Sequence, residues 1–336
     1  MLRVSWILLI LSFSTSALGA QCGDYRGHRG LTSYEANLLG YTVESSDDNY
    51  MDFRLSLKYP LLRSVSDSLN RSFGSDAQPS SLLPCVFLSF TGRFGQYIGT
   101  RDSSPVMGKQ FNPGIFGRYW LSEPDEEESY IDIGLYHESN GQSVNTQAGY
   151  ASRVADALAK GDSAGSARDY ISRGWDYIGV TSKYSAHWQD GVARCPLKEI
   201  AQNNQSPLLK KPGCFAVTAD VRYFLQNGPL QGEAEDYYAF EMQSQAYRRK
   251  DYDGLALTLE YIPPTEKISH MAFSYRTGYG KPFNYSTFRF EATFNFNDDD
   301  LPPLVIWYQE GYNSDLVDYY NYNRIIGIAI EITSFD

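Results

Sequence analysis

The chain has 336 residues, of which 29 are basic and 40 acidic, giving a formal net charge of −11, and 15% of its residues are aromatic. The acidic balance argues against a nucleic-acid binder, because phosphate contacts need clustered lysine and arginine. A mean hydropathy of −0.40 argues against a helical membrane protein, and the aromatic content argues against disorder. The remaining classes are a soluble globular protein and a transmembrane β-barrel, whose polar and apolar residues alternate.

The N-terminus has the organisation of an export signal. Arg3 precedes an apolar run from Ile7 to Phe13, and small residues from Ser14 to Ala20 follow. A charged start, a short apolar run and a zone of small residues are typical of a secretory signal peptide. The run is too short to cross a bilayer. We therefore predict a signal peptide over residues 1–20.

The four cysteines fit an exported protein, because an oxidising compartment permits disulfides. Cys195 and Cys214 flank a polar segment, which we interpret as a loop that a disulfide could close. Cys22 and Cys85 have no evident reason to meet. The absence of a Cys-x-x-Cys pair argues against a zinc site or a thioredoxin-like site.

Alternation of polar and apolar residues with a period of two dominates the rest of the chain. Clear examples cover residues 215–221, 255–261, 288–296 and 326–332. This alternation predicts strands with one apolar and one polar face. Turn signals are present at Asn112-Pro113-Gly114, Asn227-Gly228-Pro229, Pro263-Pro264 and 297–303.

Three features favour a membrane barrel over a soluble β-sandwich. The segment lengths suit a tilted span, aromatic residues crowd the segment ends, and Phe335 lies near the C-terminus. Residues 144–171 interrupt the alternation with a predicted short helix over 151–160, and we treat them as a long external loop. We predict an all-β transmembrane antiparallel barrel over 31–336, preceded by a short periplasmic segment over 21–30.

Polar residues with catalytic chemistry lie on both sides of this loop. Side chains two apart on a strand share a face, so His137 and Ser139 lie on the apolar face of the segment 130–143. In a barrel this is the lipid face, where an unpaired polar group is costly. After the loop, Asp176 interrupts the apolar face of the segment 172–180 in the same way.

An antiparallel pairing of these two segments would bring the three side chains together. With His137 opposite Asp176, Ser139 lies opposite Gly174, and opposed residues are about 5 Å apart. The row then contains a nucleophile, a base and an orienting carboxylate. A shift of the register by one residue would move Asp176 to the other face. A hydrolytic triad on the lipid-facing wall would meet only molecules in the membrane, so we expect an ester such as that of a phospholipid.

Several motifs carry a family resemblance. The specific ones are His137-x-Ser139-Asn140-Gly141-x-Ser143 and Ser172-Arg173-x-Trp175. Further matches are Ser103-Ser104-Pro105 before Phe111-x-Pro113, Thr277-Gly278-Tyr279-Gly280, and Gly311-Tyr312-x-x-x-Leu316-x-Asp318-Tyr319. In these motifs the chain resembles the outer membrane phospholipase A family, from about residue 31 to the end.

The resemblance implies a twelve-stranded barrel of the Gram-negative outer membrane that hydrolyses phospholipid acyl esters with calcium and is active as a homodimer. By motif position it implies that Ser139 is the nucleophile and His137 the base. Asp176 stands as the third member, where the family usually has asparagine. A carboxylate also stabilises an imidazolium, so we expect activity in this chain and in an Asp176→Asn variant.

The resemblance also implies a calcium site at the dimer interface. Its protein ligands would be the Ser172 hydroxyl and the Gln142 carbonyl of one subunit and Ser103 of the other. Calcium and the Ser139 backbone N–H would form the oxyanion hole. The long 144–171 loop lies between the two halves of the motif, where it could cover the site or alter the calcium geometry.

Other interpretations of the sequence make different predictions. Gly161-Asp162-Ser163-Ala164-Gly165 fits the nucleophile-elbow motif, but a predicted helix precedes it where that motif needs a strand, which favours chance. A non-enzymatic porin or adhesin-like barrel, or a barrel esterase acting on another envelope lipid, are the alternative functions. A porin predicts a wide polar lumen, ion conductance and no effect of Ser139→Ala.

Overall fold

A computed structural model describes residues 30–45, 49–73, 84–98, 106–121, 129–187, 214–230, 236–238, 246–263, 265, 267–296 and 301–332. The predicted signal peptide, all of the predicted periplasmic segment except Gly30, and the residues Cys22, Ser103, Cys195 and Phe335 lie outside the described residues. Cys85 and Cys214 each take part in a disulfide.

Strands account for most of the described residues. They are β1 Thr32–Ser33, β2 Asn37–Glu44, β3 Asn49–Leu61, β4 Cys85–Tyr97, β5 Met107–Trp120, β6 Tyr130–Ser139, β7 Gly174–His187, β8 Cys214–Phe224, β9 Asp236–Tyr238, β10 Ala246–Arg248, β11 Gly254–Ile262, β12 Ile268–Gly278, β13 Thr287–Phe294, β14 Leu304–Gly311 and β15 Asn323–Ile332. The helices are α1 Arg63–Phe73, α2 Gln147–Ala159, α3 Arg249–Tyr252 and the 3₁₀-helix Ala164–Tyr170. None of these helices is long and apolar enough to cross a membrane.

Twelve of the strands form one closed antiparallel barrel. The ring runs β2-β3-β4-β5-β6-β7-β8-β11-β12-β13-β14-β15, and β15 pairs with β2 to close it. The short strand β1 adds to the edge of β3, and β9 pairs with β10 in a separate hairpin. The predicted all-β transmembrane barrel with twelve strands is therefore confirmed.

The period-two alternation separates the two faces of the barrel wall. On β6, Ile133 and Leu135 are exposed on the outside, whereas Asp132 and Glu138 are buried on the luminal side. On β15, Ile326 and Ile328 are exposed in the same way. The sequence therefore predicts the apolar outer wall strand by strand.

One predicted turn is wrong. Asn112, Pro113 and Gly114 lie inside β5, and Pro113 is opposite Phe90 on β4. On its other side, the ladder between β5 and β6 has pairs at Phe111 and Gly114 but none between them. A proline cannot donate to a ladder, so it is tolerated in a strand where pairing is interrupted. The interruption lies beside His137.

Candidate active site

The register between β6 and β7 is the one that the sequence analysis predicts. His137 pairs with Asp176 and Ser139 with Gly174, in an antiparallel ladder that extends to Tyr130 opposite Lys183. A Cβ on Gly174 would lie 3.4 Å from the Ser139 Cβ and 3.6 Å from the His137 Cε1. Glycine at this position therefore leaves open space directly beside the hydroxyl and the imidazole.

The imidazole of His137 is held by a carboxylate. Nδ1 of His137 lies 2.7 Å from Oδ1 of Asp176, and the two side chains are 18% and 5% exposed. If Nδ1 carries the hydrogen, it donates to the carboxylate and leaves Nε2 free to accept a proton. Ser139, two residues along the same strand face, is half-buried.

The chain that follows Ser139 is fixed by a buried asparagine. Asn140 Nδ2 donates to the Ile171 carbonyl at 2.7 Å, and Asn140 Oδ1 accepts from the Arg173 backbone N–H at 3.0 Å. Gly141 has a φ of +66°, a conformation that favours glycine. Asn140 thus holds the segment after β6 against the segment before β7, and it orients the backbone on both sides of the site.

Asn140 belongs to the sequence motif, but no role for its side chain was predicted from the sequence. If Ser139 is the nucleophile, as the resemblance implies, we expect Asn140→Ala to lower kcat/KM for ester hydrolysis by about 10- to 100-fold, because small misplacements of a nucleophile cost that much. Asn145→Ala is the matched control, since Asn145 is exposed and close by, and it should keep full activity. Ester hydrolysis by the refolded variants measures both. Equal activities of the two variants would show that Asn140 does not position the site.

The implied calcium ligands lie on the two segments that Asn140 joins. The Val144 N–H donates to the Tyr170 carbonyl at 3.0 Å and the Ser172 N–H to the Val144 carbonyl at 2.8 Å, so residues 140–144 run beside 170–173. Ser172 and Gln142 are both half-buried. A hydroxyl and a carbonyl are hard oxygen ligands of the kind that calcium takes, so the two residues fit such an ion.

The implied calcium site does not contain a cluster of carboxylates. Among the described residues, no group of three or more histidine, cysteine, aspartate or glutamate side chains is placed to hold a metal. Neutral oxygen ligands alone bind calcium weakly in a single subunit. Ser103 lies outside the described residues, and its role as a ligand stays a prediction.

The predicted loop 144–171 is a packed unit beside the site. It contains α2, which the sequence predicts over 151–160, and the 3₁₀-helix, which it does not. Thr146 caps α2 by accepting from the Gly149 N–H at 3.1 Å. A buried cluster joins the loop to the segment that precedes β15; it consists of Val144, Tyr150, Ala167, Ile171 and Val317. The Arg168–Asp318 ion pair is a second contact between the loop and this segment.

Aromatic side chains fill the lumen behind the site. Trp175 and Tyr319 are fully buried, with ring centroids 5.4 Å apart in an edge contact. The cluster around them consists of Tyr177, Phe224, Tyr252 and Leu316. The Arg249 guanidinium lies 5.3 Å from the centroid of the Trp175 ring and forms an ion pair with Glu138 at 3.0 Å. The lumen at this end of the barrel is therefore packed, which disfavours a wide polar channel.

The fold and the apolar outer wall define the class of protein: an outer-membrane β-barrel. No family model and no curated protein matches the sequence. Among solved structures, the chain is similar to outer membrane phospholipase A from Escherichia coli, with 14% identity, 90% of this chain and 91% of that chain covered, and a TM-score of 0.53.

Two further structures show the same similarity. An active-site mutant of the Escherichia coli protein is 15% identical over 93% of this chain and 96% of that chain, with a TM-score of 0.55. The Salmonella typhi outer membrane phospholipase, a dimer with bound calcium, is 15% identical over 90% and 91%, with a TM-score of 0.53. At this identity the similarity concerns the fold.

Proposed function

We propose that this barrel is a calcium-dependent phospholipase of type A that cleaves acyl esters in the outer membrane. The observation that carries the proposal is the row of Ser139, His137 and Asp176 on the outer wall, with the 2.7 Å contact between imidazole and carboxylate. Polar side chains on a lipid-facing surface are costly, so their presence there points to a function.

The surroundings of the row support a lipid substrate. Next to the three residues along β6 and β7, the outer wall has an apolar groove. It is lined by Ile115, Ile133, Leu135 and Ile178. Leu135 and Ile178 are each two residues from a member of the row, on the same face. An acyl chain of a membrane lipid lying in this groove would place its ester close to Ser139.

Each of the three side chains has its own role in the proposed hydrolysis. His137 Nε2 takes the proton of the Ser139 hydroxyl while Oγ attacks the ester carbonyl carbon. Asp176 holds Nδ1 and stabilises the imidazolium. His137 returns the proton to the leaving glycerol oxygen, and water, activated by the same imidazole, releases the fatty acid. Calcium held by Ser172, Gln142 and the partner subunit's Ser103 would supply positive charge for the developing oxyanion.

Ligands from two subunits would couple activity to the homodimer. A calcium ion shared between the two copies binds only when both are present, so a monomer would lack the complete site. This arrangement would restrict hydrolysis of the cell's own membrane. We expect activity to rise with calcium and with the dimer fraction together.

Fatty-acid release in mixed phospholipid micelles tests the proposal. The refolded protein should release fatty acid with calcium, and both a chelator and Ser139→Ala should abolish the release. Ser163→Ala is the matched control, because Ser163 belongs to the elbow-like motif and makes no side-chain cap bond. Release that survives Ser139→Ala would contradict the proposal, and ion conductance without hydrolysis would support a porin instead.

A further inference from the structure

The Asp176 carboxylate has a second partner, outside the strand pair. Its Oδ2 accepts from the Leu230 backbone N–H at 2.6 Å, while Oδ1 faces His137. The Leu225 N–H also donates to the Asp176 carbonyl at 2.8 Å. Residues 225–230, the segment after β8, therefore lie directly over Asp176 and leave its side chain only 5% exposed.

The contact between this segment and the carboxylate permits only glycine at one position. A Cβ on Gly228 would lie 2.4 Å from both the Cβ and the Oδ2 of Asp176. Asn227, just before it, has a φ of +58°, a left-handed conformation that asparagine tolerates. In the sequence, Asn227-Gly228-Pro229 is recognisable only as a turn signal.

We propose that the turn 227–230 is a positioning element that fixes the Asp176 carboxylate and restricts position 176 to an acid. This inference rests on the proposed Ser-His-Asp hydrolase. In the proposed mechanism, His137 Nδ1–H donates to Oδ1, and the Leu230 N–H donates to Oδ2. A carboxylate accepts both hydrogen bonds, because both of its oxygens are acceptors.

An asparagine at position 176 satisfies only one of these two donors. If its oxygen faces His137, its amide N–H₂ meets the Leu230 N–H at a distance where two donors repel. If its oxygen faces Leu230, the amide N–H₂ donates to Nδ1, and the imidazole then carries its hydrogen on Nε2. That tautomer cannot accept the Ser139 proton. The turn therefore favours the orientation in which the asparagine oxygen faces Leu230, and in that orientation His137 cannot act as the base.

A double-variant comparison tests the turn. The motif alone leads to the expectation of an active Asp176→Asn variant; with the Leu230 N–H in place, we instead expect this variant to lower kcat by about 10²- to 10⁴-fold with the KM little changed, as expected for a wrong tautomer. Leu230→Pro, which removes the N–H donor, should lower kcat by about 10-fold when Asp176 is present. In the Asp176→Asn background, Leu230→Pro should raise kcat by about 10-fold or more. Without the Leu230 N–H, the side-chain amide at position 176 can rotate so that its oxygen accepts from His137 Nδ1–H. Leu230→Ala keeps the donor and is the control.

The reversal of sign separates positioning from a structural role, since a merely destabilising change would lower kcat in both backgrounds. Heat-modified gel mobility confirms that each variant is folded. If Leu230→Pro does not fold, Gly228→Ala replaces it. Gly228→Ala should cost about 10- to 100-fold in kcat, and nothing further when Asp176 is already alanine, because it acts through that side chain.

Two results would overturn the inference. One is a folded Leu230→Pro variant with unchanged kcat, and the other is an Asp176→Asn variant that the Leu230→Pro change fails to improve. With Gly228→Ala, a loss that persists in full beside Asp176→Ala would do the same. Failure of the proposed function itself gives a different result, which is fatty-acid release that survives Ser139→Ala.

Discussion

Replacing His137 with alanine is expected to lower kcat for phospholipid hydrolysis by about 10⁴-fold or more, with little change in KM. In the proposed mechanism the imidazole accepts the Ser139 proton, and its Nδ1 lies 2.7 Å from Oδ1 of Asp176. Without it the hydroxyl keeps its proton at neutral pH and is a weak nucleophile. Fatty-acid release measured over a range of phospholipid concentrations separates kcat from KM.

Another histidine of the barrel wall provides the control. His270 lies on β12, with its Nε2 3.7 Å from Glu260, and His270→Ala should keep its activity. The variant that lacks both His137 and Ser139 should be no less active than either single variant, because the two act as one unit. Losses that multiply in the double variant would contradict a shared role.

Removing one partner of the Arg118–Asp132 ion pair is expected to lower the free energy of unfolding by about 3–5 kcal/mol. The two residues pair across β5 and β6, with two hydrogen bonds of 2.7 Å each, and both side chains are 1% exposed. Arg118→Leu leaves the Asp132 carboxylate buried without this guanidinium. Urea titration of the barrel in vesicles, followed by tryptophan fluorescence, measures the change.

A surface ion pair provides the comparison for this variant. Arg324 lies 3.1 Å from Glu310 and is 63% exposed, so Arg324→Ala should leave the free energy of unfolding almost unchanged. Replacing Arg118 and Asp132 together with methionine and leucine should cost less than Arg118→Leu alone, because the buried carboxylate is removed together with its guanidinium. Equal costs for Arg118→Leu and Arg324→Ala would show that burial does not strengthen the luminal pair.

Local alternation made the barrel wall predictable from sequence, whereas the turn signal at Asn112-Pro113-Gly114 was wrong. A period of two determines which face each side chain takes, so the outward positions of Ile133 and Leu135 needed no knowledge of neighbouring strands. Pro113 was misjudged because proline is rare inside a ladder. The pairing of Pro113 with Phe90 on the neighbouring strand β4 shows that β5 continues through this proline, and β6 leaves the ladder open on the other side.

The candidate site was predictable as far as its three side chains. Their shared chemistry suggested the register that places His137 opposite Asp176, although alternation alone allows any even shift. The partners that hold the row were not predictable. Leu230 is 54 residues beyond Asp176 and acts through its backbone N–H, so its side chain carries no signal.

The sequence by itself determined that Ser139 and His137 share the lipid-facing side of one strand and that an acid follows on the next. This is a local consequence of the pleat, in which residues two apart point the same way. Only the tertiary structure decided how these groups are supported, through Asn140 bridging two segments and the turn 227–230 lying over the carboxylate. Such contacts join residues that are distant in the chain, and one partner in each is a backbone group, which almost every residue type carries and which therefore leaves no signal in the sequence.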